Sequence, residues 1–242
     1  MIVLFTDFGF NGPYLGQMKA VLTEMAPSEV VLDLMADAPM FRPRASAHLL
    51  SAYSTGFAPG TVFLCVVDPG VGSQRRALVI RAREQYFIGP DNGLFYRLLN
   101  EHPEAQVWQI PYEPDRLSAS FHGRDLFAPV AARIAHGEPV PGQSLPVREL
   151  VGAKWPKTLQ EILYIDHYGN AITGLREGDI GSDVGINIAG ENLMHARTFS
   201  DVENGALFWY INSSGLVEIA QNGGSAAKHL GLTIGTEFRL NH

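Results

Sequence analysis

Unbroken apolar runs alternate along the chain with segments whose apolar residues recur at helical spacing. Ile2–Phe5, Val30–Leu34 and Val62–Val67 are rich in branched and aromatic side chains, the pattern of strands buried on both faces. Between the first two, Tyr14, Leu15, Met18, Val21, Leu22 and Met25 fall on one helical face, which makes them candidate core. Pro13 opens that helix and Pro27 closes it. Ala45, Leu49, Leu50 and Tyr53 mark a second helix ending at Gly56, on which His48 reads as structural. Strand, helix, strand, helix, strand predicts right-handed crossovers and a parallel sheet covered on both faces.

Two more strands, Ala77–Ile80 and Tyr86–Ile88, precede a helix over Leu94–Asn100, and Phe127, Val130, Ala131 and Ile134 form an amphipathic helix stopped by Gly137. Pro139, Pro141, Pro146 and Pro156, with Gly142 and Gly152, then interrupt regular structure. Beyond them Ile162–Ile165, Val184–Ile188, Leu207–Ile211 and Leu216–Ile219 predict a small antiparallel sheet or barrel. The expected organisation is an α/β domain over residues 1–138 with a mostly parallel sheet, a linker over 139–158 and a smaller antiparallel β domain over 159–242.

Composition narrows the function classes. With 46% apolar and 18% charged residues among 242, the chain is long and apolar enough for a substantial core. A net charge of -7 without any basic run excludes a general electrostatic grip on nucleic acid. The single cysteine, Cys65, lies in an apolar run as a small hydrophobe and excludes an intramolecular disulfide. Met1–Phe5 carries no basic leader and no run reaches membrane-spanning length, so a cytoplasmic protein without a membrane partner is expected.

The candidate chemistry sits where strands end. Asp7 and Asp68 each follow an apolar run, at the sheet rim where open α/β folds bind ligands. Gly70 and Gly72 allow a sharp turn after Asp68, and Arg75 and Arg76 bring positive charge back towards it; a tight turn with a surface ion pair is the structural alternative. Phe121-His122-Gly123-Arg124-Asp125 gathers an aromatic, an imidazole and a guanidinium before a helix, although Arg124 and Asp125 would also satisfy each other. Asp91-Asn92-Gly93 reads as a turn with Asp91 capping the next helix, whereas Asp166 and Asn170 follow a strand as Asp7 and Asp68 do. No HExxH motif or Cys/His cluster occurs, so no metal is expected.

Taken together, Thr6-Asp7-Phe8-Gly9 with Gly12-Pro13-Tyr14, Val67-Asp68-Pro69-Gly70-Val71-Gly72-Ser73 with Arg75, Pro90-Asp91-Asn92-Gly93, Phe121 to Asp125, Asp166-His167-Tyr168-Gly169-Asn170 and Asn212-Ser213 resemble the S-adenosyl-L-methionine hydroxide adenosyltransferases, hydrolase relatives of the fluorinase and chlorinase. The resemblance covers nearly the whole chain in order. It implies a carboxy-terminal β-barrel, a homotrimer with sites between subunits, and hydrolysis of S-adenosyl-L-methionine, as substrate and with no cofactor, to adenosine and L-methionine. It implies that Asp68, Arg75 and His122 hold and activate water, with Arg75 matched in preference to Arg76 by its spacing. It also implies that Asp7 grips the ribose hydroxyls, Phe121 packs on the nucleoside, Asp166 and Asn170 face the methionine ammonium and the nucleoside, and Ser213 binds the methionine end. Three positions depart from the pattern: the segment around Asp37 lacks an expected histidine, and Ser214 and Gln221 stand where the fluorinase has arginines. The fluorinase also has an uncharged aromatic at the position of Asp68 and a Tyr-Ser pair at that of His122-Gly123, which points to water and not halide as nucleophile. Two rival readings remain at this stage: a phosphate-binding hydrolase, whose loop would need a Gly-Lys-Ser/Thr ending that is missing, and a non-catalytic adenosine or S-adenosyl-L-methionine sensor, against which stands the joint retention of Asp68, Arg75 and His122.

Overall fold

The computed structural model describes residues 1–111 and 117–241. Its contacts divide the chain into two units, Met1–Trp155 and Pro156–His242.

In the first unit the predicted apolar runs become β1 (Ile2–Thr6), β2 (Val31–Met35) and β3 (Val62–Val66), joined by β4 (Ala77–Ala82), β5 (Gln85–Pro90), β6 (Gln106–Gln109) and β7 (Gln143–Ser144). The strand order is β2-β1-β3-β5-β4-β6-β7. β1 runs parallel to β2 and β3, and β3 to β5, but β4 is antiparallel to β5 and β6, and β6 to β7. The sheet is therefore mixed, not mostly parallel. The cause is local: only Arg83 and Glu84 separate β4 from β5, far too few residues for a crossover, and both sit at positive φ (51° and 59°) as a tight hairpin requires.

The helices are α1 (Tyr14–Met25), α2 (Pro43–Tyr53), α3 (Tyr96–Glu101) and α4 (Ala128–Ala135). Side chains alternate across the sheet, so Ile2, Leu4, Val62 and Leu64 share one core with Met18 and Leu22 of α1 and Val130 and Ala131 of α4. Each of the larger buried side chains among these, Ile, Leu, Val and Met, stabilises the fold by roughly 1.5–3 kcal/mol relative to exposure. On the other face Phe63 stacks on its register partner Phe87 at 4.8 Å, with Phe57 edge-on at 5.2 Å. His48 is fully buried and bonds through Nε2 to the Tyr96 hydroxyl, tying α2 to α3, which is the structural role expected of it.

Beyond the sheet, two features of this unit depart from the sequence pattern. Of the α1 stripe, Met18 and Leu22 are buried and Leu15 and Val21 pack partly buried against the same core, but Tyr14 is 51% and Met25 39% exposed. The Pro/Gly-rich segment up to Trp155 is not a free linker, because β7 pairs with β6, the Val151 N–H donates to Asp91 Oδ1 (3.0 Å) and the Trp155 ring packs edge-on against Tyr96. Proline removes backbone donors without preventing side chains from anchoring the segment.

The second unit contains β8 (Leu159–Ile165), β9 (Ala171–Arg176), β10 (Gly185–Ile188), β11 (Glu191–Leu193), β12 (Leu207–Ile211), β13 (Leu216–Gln221), α5 (Ala226–Leu230) and β14 (Arg239–Asn241). They form two antiparallel sheets, β12-β13-β9-β8 and β11-β10-β14. Isolated bridges, Glu161 with Glu237 and His195 with Trp209, link the two sheets, but the ladders among the described residues stop short of a closed barrel. Trp209, fully buried, packs with Ile162, Ile186, Val217 and Ile219 and donates its indole N–H to the Val184 carbonyl (3.1 Å). β9 escapes a pattern search because Gly174 interrupts it; a Cβ there would lie 2.3 Å from the Leu159 carbonyl oxygen, so β8 and β9 approach only over glycine. Among the described residues no helix is long and apolar enough to cross a membrane.

Candidate active site

The register of β1 and β3 pairs Thr6 with Val66, so the chain leaves both strands at the same end of the sheet and delivers Asp7 and Asp68 side by side. After Asp68 a turn closed by Val71 N–H to Asp68 O (3.2 Å) and Ser73 N–H to Gly70 O (3.1 Å) sends the backbone back. Gly72 permits this at φ 81°, where a Cβ would meet the Ala119 carbonyl oxygen at 2.5 Å. That close approach seats the Asp68 turn against the segment leading to Phe121 and His122.

Arg75 then grips Asp68: Nε donates to Oδ1 (2.7 Å) and Oδ2 (2.8 Å), and Nη2 also reaches Oδ2. The same Nη2 lies 2.9 Å from His122 Nδ1. Side-chain exposure is 7% for Arg75 and 4% for Asp68, so solvent does little to screen the pair. The guanidinium lies 5.3 Å over the Phe127 ring. Arginine has no acceptor, so its contact with Nδ1 assigns the lone pair to Nδ1 and the ring proton of neutral His122 to Nε2. Burial, and then the neighbouring Arg75 charge, lower the His122 pKa from the ordinary histidine value against the opposing pull of Asp68 and Asp125. His122 stands immediately before a π-helical turn, Gly123–Phe127, that leads into α4. The wider turn orients the ring relative to the helix that bears it.

These groups border a cavity of about 330 Å³ that Asp7, Phe8, Tyr14, Phe41, Asp68, Phe121 and His122 help to line. Phe121 meets Tyr14 edge-on at 5.4 Å and Phe8 at 5.8 Å, giving one side of the cavity an aromatic wall. Burial pushes the Asp7 carboxyl up, the Phe41 N–H donating to Oδ2 (3.1 Å) opposes this, and the Asp68 charge adds to the rise. Phe41 makes that bond from the left-handed region (φ 60°), a conformation costing a side-chain-bearing residue roughly 1–2 kcal/mol. The residue remains 69% exposed.

Five of the residues expected at the site, Asp7, Asp68, Arg75, Phe121 and His122, thus converge in the first unit. Arg76 turns away to Asp91, with Nε to Oδ2 at 2.7 Å, and to the Glu149 carbonyl, which leaves Arg75 as the partner of Asp68. Asp91 is not a helix cap. It binds Arg76 and the Val151 N–H, while Asn92 donates to the Val67 carbonyl (2.9 Å) just before Asp68 and accepts from the Leu94 N–H (3.2 Å). Arg124 and Asp125 do satisfy each other (2.6 Å); Arg124 also covers the Phe121 ring at 5.0 Å, and Asp125 accepts from the Ser118 N–H.

In the second unit, the Asp166 carboxylate accepts from the N–H groups of Tyr168 (2.9 Å) and Asn170 (2.8 Å) and from the Asn170 amide (3.0 Å), so these two expected ligand residues lock one loop. Ser213 is exposed in the turn between β12 and β13. Gln221 donates to the Gly205 carbonyl and meets His229 Nδ1 at 2.7 Å, an engagement that an arginine there would alter. Sequence reasoning did not assign Phe8, Tyr14 or Phe41 to the cavity. Tyr14 carried a signal in its closeness to the Asp7 motif but was absorbed into the helical stripe, and nothing in the sequence marks Phe41 for positive φ.

The profile of the SAM hydroxide adenosyltransferase N-terminal domain matches residues 2–143, and that of the C-terminal domain matches residues 160–239. The chain belongs to the SAM hydroxide adenosyltransferase family. A (R)-S-adenosyl-L-methionine hydrolase of Thermus thermophilus is 39% identical across 99% of this chain and 98% of its own length. A fluorinase of Nocardia brasiliensis is 24% identical across 99% of this chain and 96% of its own. Among solved structures, an uncharacterized conserved protein of Thermotoga maritima aligns with a TM-score of 0.89 and 32% identity over 100% of both chains. The hydroxide adenosyltransferase profiles cover both units, so the family assignment includes the first-unit cavity and the second-unit loops alike.

Proposed function

We propose that this chain hydrolyses S-adenosyl-L-methionine to adenosine and L-methionine by in-line attack of water on the ribose C5′. The observation carrying this reading is the buried Asp68–Arg75–His122 contact at the edge of the cavity, in a chain whose two units both match the hydroxide adenosyltransferases. The leaving group is a neutral thioether, so the reaction needs no general acid. It needs a water aligned behind the C5′–S bond and a proton acceptor as the C–O bond forms.

The tautomer divides the labour. With the His122 proton on Nε2, that N–H donates to the water oxygen and Asp68 takes the proton, which becomes strongly acidic once the oxygen bonds to carbon. A weak base is therefore sufficient. Arg75 holds the carboxylate in three contacts and the imidazole in one, so a single side chain fixes both partners of the water. Such alignment contributes on the order of 7 kcal/mol to lowering the barrier.

Asp7 accepts from the ribose hydroxyls in this reading, and Phe121, with Tyr14 and Phe8, packs on the nucleoside. Asp166 and Asn170 serve the methionine ammonium and the nucleoside, and Ser213 the methionine end. The first unit is accordingly the nucleoside-binding and water-activating domain, and the second a barrel-like domain. The active assembly is a homotrimer in which second-unit loops of one subunit serve the cavity of a neighbour; exposed Phe10, Met40 and Phe41 in the first unit support a covered surface there. No metal or organic cofactor enters the scheme, and the lone buried cysteine suits the cytoplasm.

Incubation of the protein with S-adenosyl-L-methionine should yield equimolar adenosine and methionine on chromatography, unchanged by exhaustive chelation. Intact substrate after overnight incubation would refute the reaction, and activity lost to chelator and regained with a divalent ion would refute the metal-free mechanism.

A further inference from the structure

β13 carries a carboxylate in its interior. Glu218 is 4% exposed and stands opposite Tyr210 of β12 in the antiparallel register. The Tyr210 hydroxyl donates to Glu218 Oε1 (2.6 Å) and the Asn212 amide donates to Oε2 (2.8 Å). Asn212 Oδ1 in turn accepts from the N–H groups of Ser214 (3.0 Å) and Leu216 (3.1 Å), while its backbone closes the turn through Asn212 N–H to Leu216 O (2.9 Å) and Gly215 N–H to Asn212 O (2.9 Å). Donors thus converge on Glu218 from Tyr210 on one side and from Asn212 on the other, and Asn212 in turn accepts from the turn that holds Ser213.

The chain explains why a carboxylate is buried at a site where burial raises its pKa and nearby Asp166 adds to the rise. Asn212 Oδ1 is committed to two backbone donors, so its amide nitrogen must donate outward. The Tyr210 hydroxyl donates from the opposite side. The ionised glutamate accepts at both ends, whereas a glutamine that kept the Asn212 bond would turn its amide N–H onto the Tyr210 oxygen and leave the tyrosine proton without this acceptor. We infer that Glu218 is a positioning residue for the methionine end of the substrate, acting through Asn212 to hold the Ser213–Ser214 turn in its binding conformation. The inference rests on the assignment of Ser213 to the methionine end.

The test uses Glu218→Gln, Tyr210→Phe and the double variant Asn212→Asp with Glu218→Gln, in the full chain. In the double variant the new carboxylate accepts from the Ser214 and Leu216 N–H groups and from the glutamine amide, while the glutamine carbonyl accepts from Tyr210, so every donor regains an acceptor at unchanged net charge. Glu218→Gln should raise KM for S-adenosyl-L-methionine about tenfold, the effect of losing one charge-assisted bond, with kcat and the affinity for adenosine each within about twofold. Tyr210→Phe, which removes only a hydroxyl, should raise KM about threefold, and the double variant should return to within about threefold of the parent. An unchanged KM in Glu218→Gln, an equal loss of adenosine affinity, or a double variant no better than the single one would each overturn the inference. A parent protein that forms no adenosine would instead overturn the reaction beneath it.

Discussion

In the proposed mechanism Asp68 is the residue on which the chemistry turns, because it is the acceptor that the resting tautomer of His122 leaves for the water proton. Asp68→Ala should lower kcat by at least ~100-fold while the dissociation constant for S-adenosyl-L-methionine, measured calorimetrically, stays within about tenfold. Turnover equal to the parent would remove Asp68 from the mechanism. The pH profile follows from the two shifted groups. Burial and Arg75 lower the His122 pKa, so its neutral form persists to more acid pH than an ordinary histidine, while burial raises the Asp7 carboxyl from the ordinary carboxylate value. The acid limb of kcat/KM should therefore be centred below ~6.5, with a plateau through neutral pH. A midpoint above 7 would contradict the assigned state of His122. At this scale the sequence singled out Asp7, Asp68 and His122, which the structure brings to one cavity, because carboxylates at strand ends and an imidazole before a helix are local patterns. The choice of Arg75 over Arg76 by reasoning on residues alone stayed open, since it depends on Asp91, fifteen positions beyond Arg76, taking the second arginine. Phe41 was illegible because a backbone twist, and not its residue type, brings it to Asp7.

Among the elements, the turn over Asp68–Ser73 is the one whose geometry most constrains the site. Gly72 is left-handed and presses on the Ala119 carbonyl, whereas a Cβ on Gly70 would make only ordinary contacts with Ser73 Oγ (3.5 Å) and Asp68 Oδ1 (3.9 Å). Gly72→Ala should cost about 2 kcal/mol, lowering Tm by ~4–8 °C, and should reduce kcat by displacing Arg75. Gly70→Ala should shift Tm by no more than ~1 °C. Equal melting temperatures for the two variants would show that the approach to Ala119 does not constrain the turn. β1, β2 and β3 were legible because they are continuous apolar runs, as was α4 because Gly137 ends its stripe. β4 and β5 were legible as strands but not in direction: the Arg83-Glu84 hairpin lacks the Asn-Gly or Asp-Gly signature that announces such turns. The two-residue β7 and the Gly-interrupted β9 fall below what periodicity detects.

For the molecule as a whole, two units were readable from the shift between helical spacing and short β runs, but their division at Trp155–Pro156 was not. Proline and glycine density marked residues 139–158 as a linker, while the bonds that bind most of that segment to the first unit come from Asp91 and Tyr96, far away in sequence. At the same scale lies the choice between hydrolase and halogenase. An ionised carboxylate at ~4 Å repels a halide by about 4 kcal/mol at an effective dielectric of 20, so a site built on Asp68 favours an uncharged nucleophile that can give up a proton. The most direct test is turnover of S-adenosyl-L-methionine in oxygen-18 water with excess chloride or fluoride present. One oxygen-18 atom in the 5′ hydroxyl of adenosine is the result expected; unlabelled adenosine, or 5′-halo-5′-deoxyadenosine as the main product, would contradict attack by water.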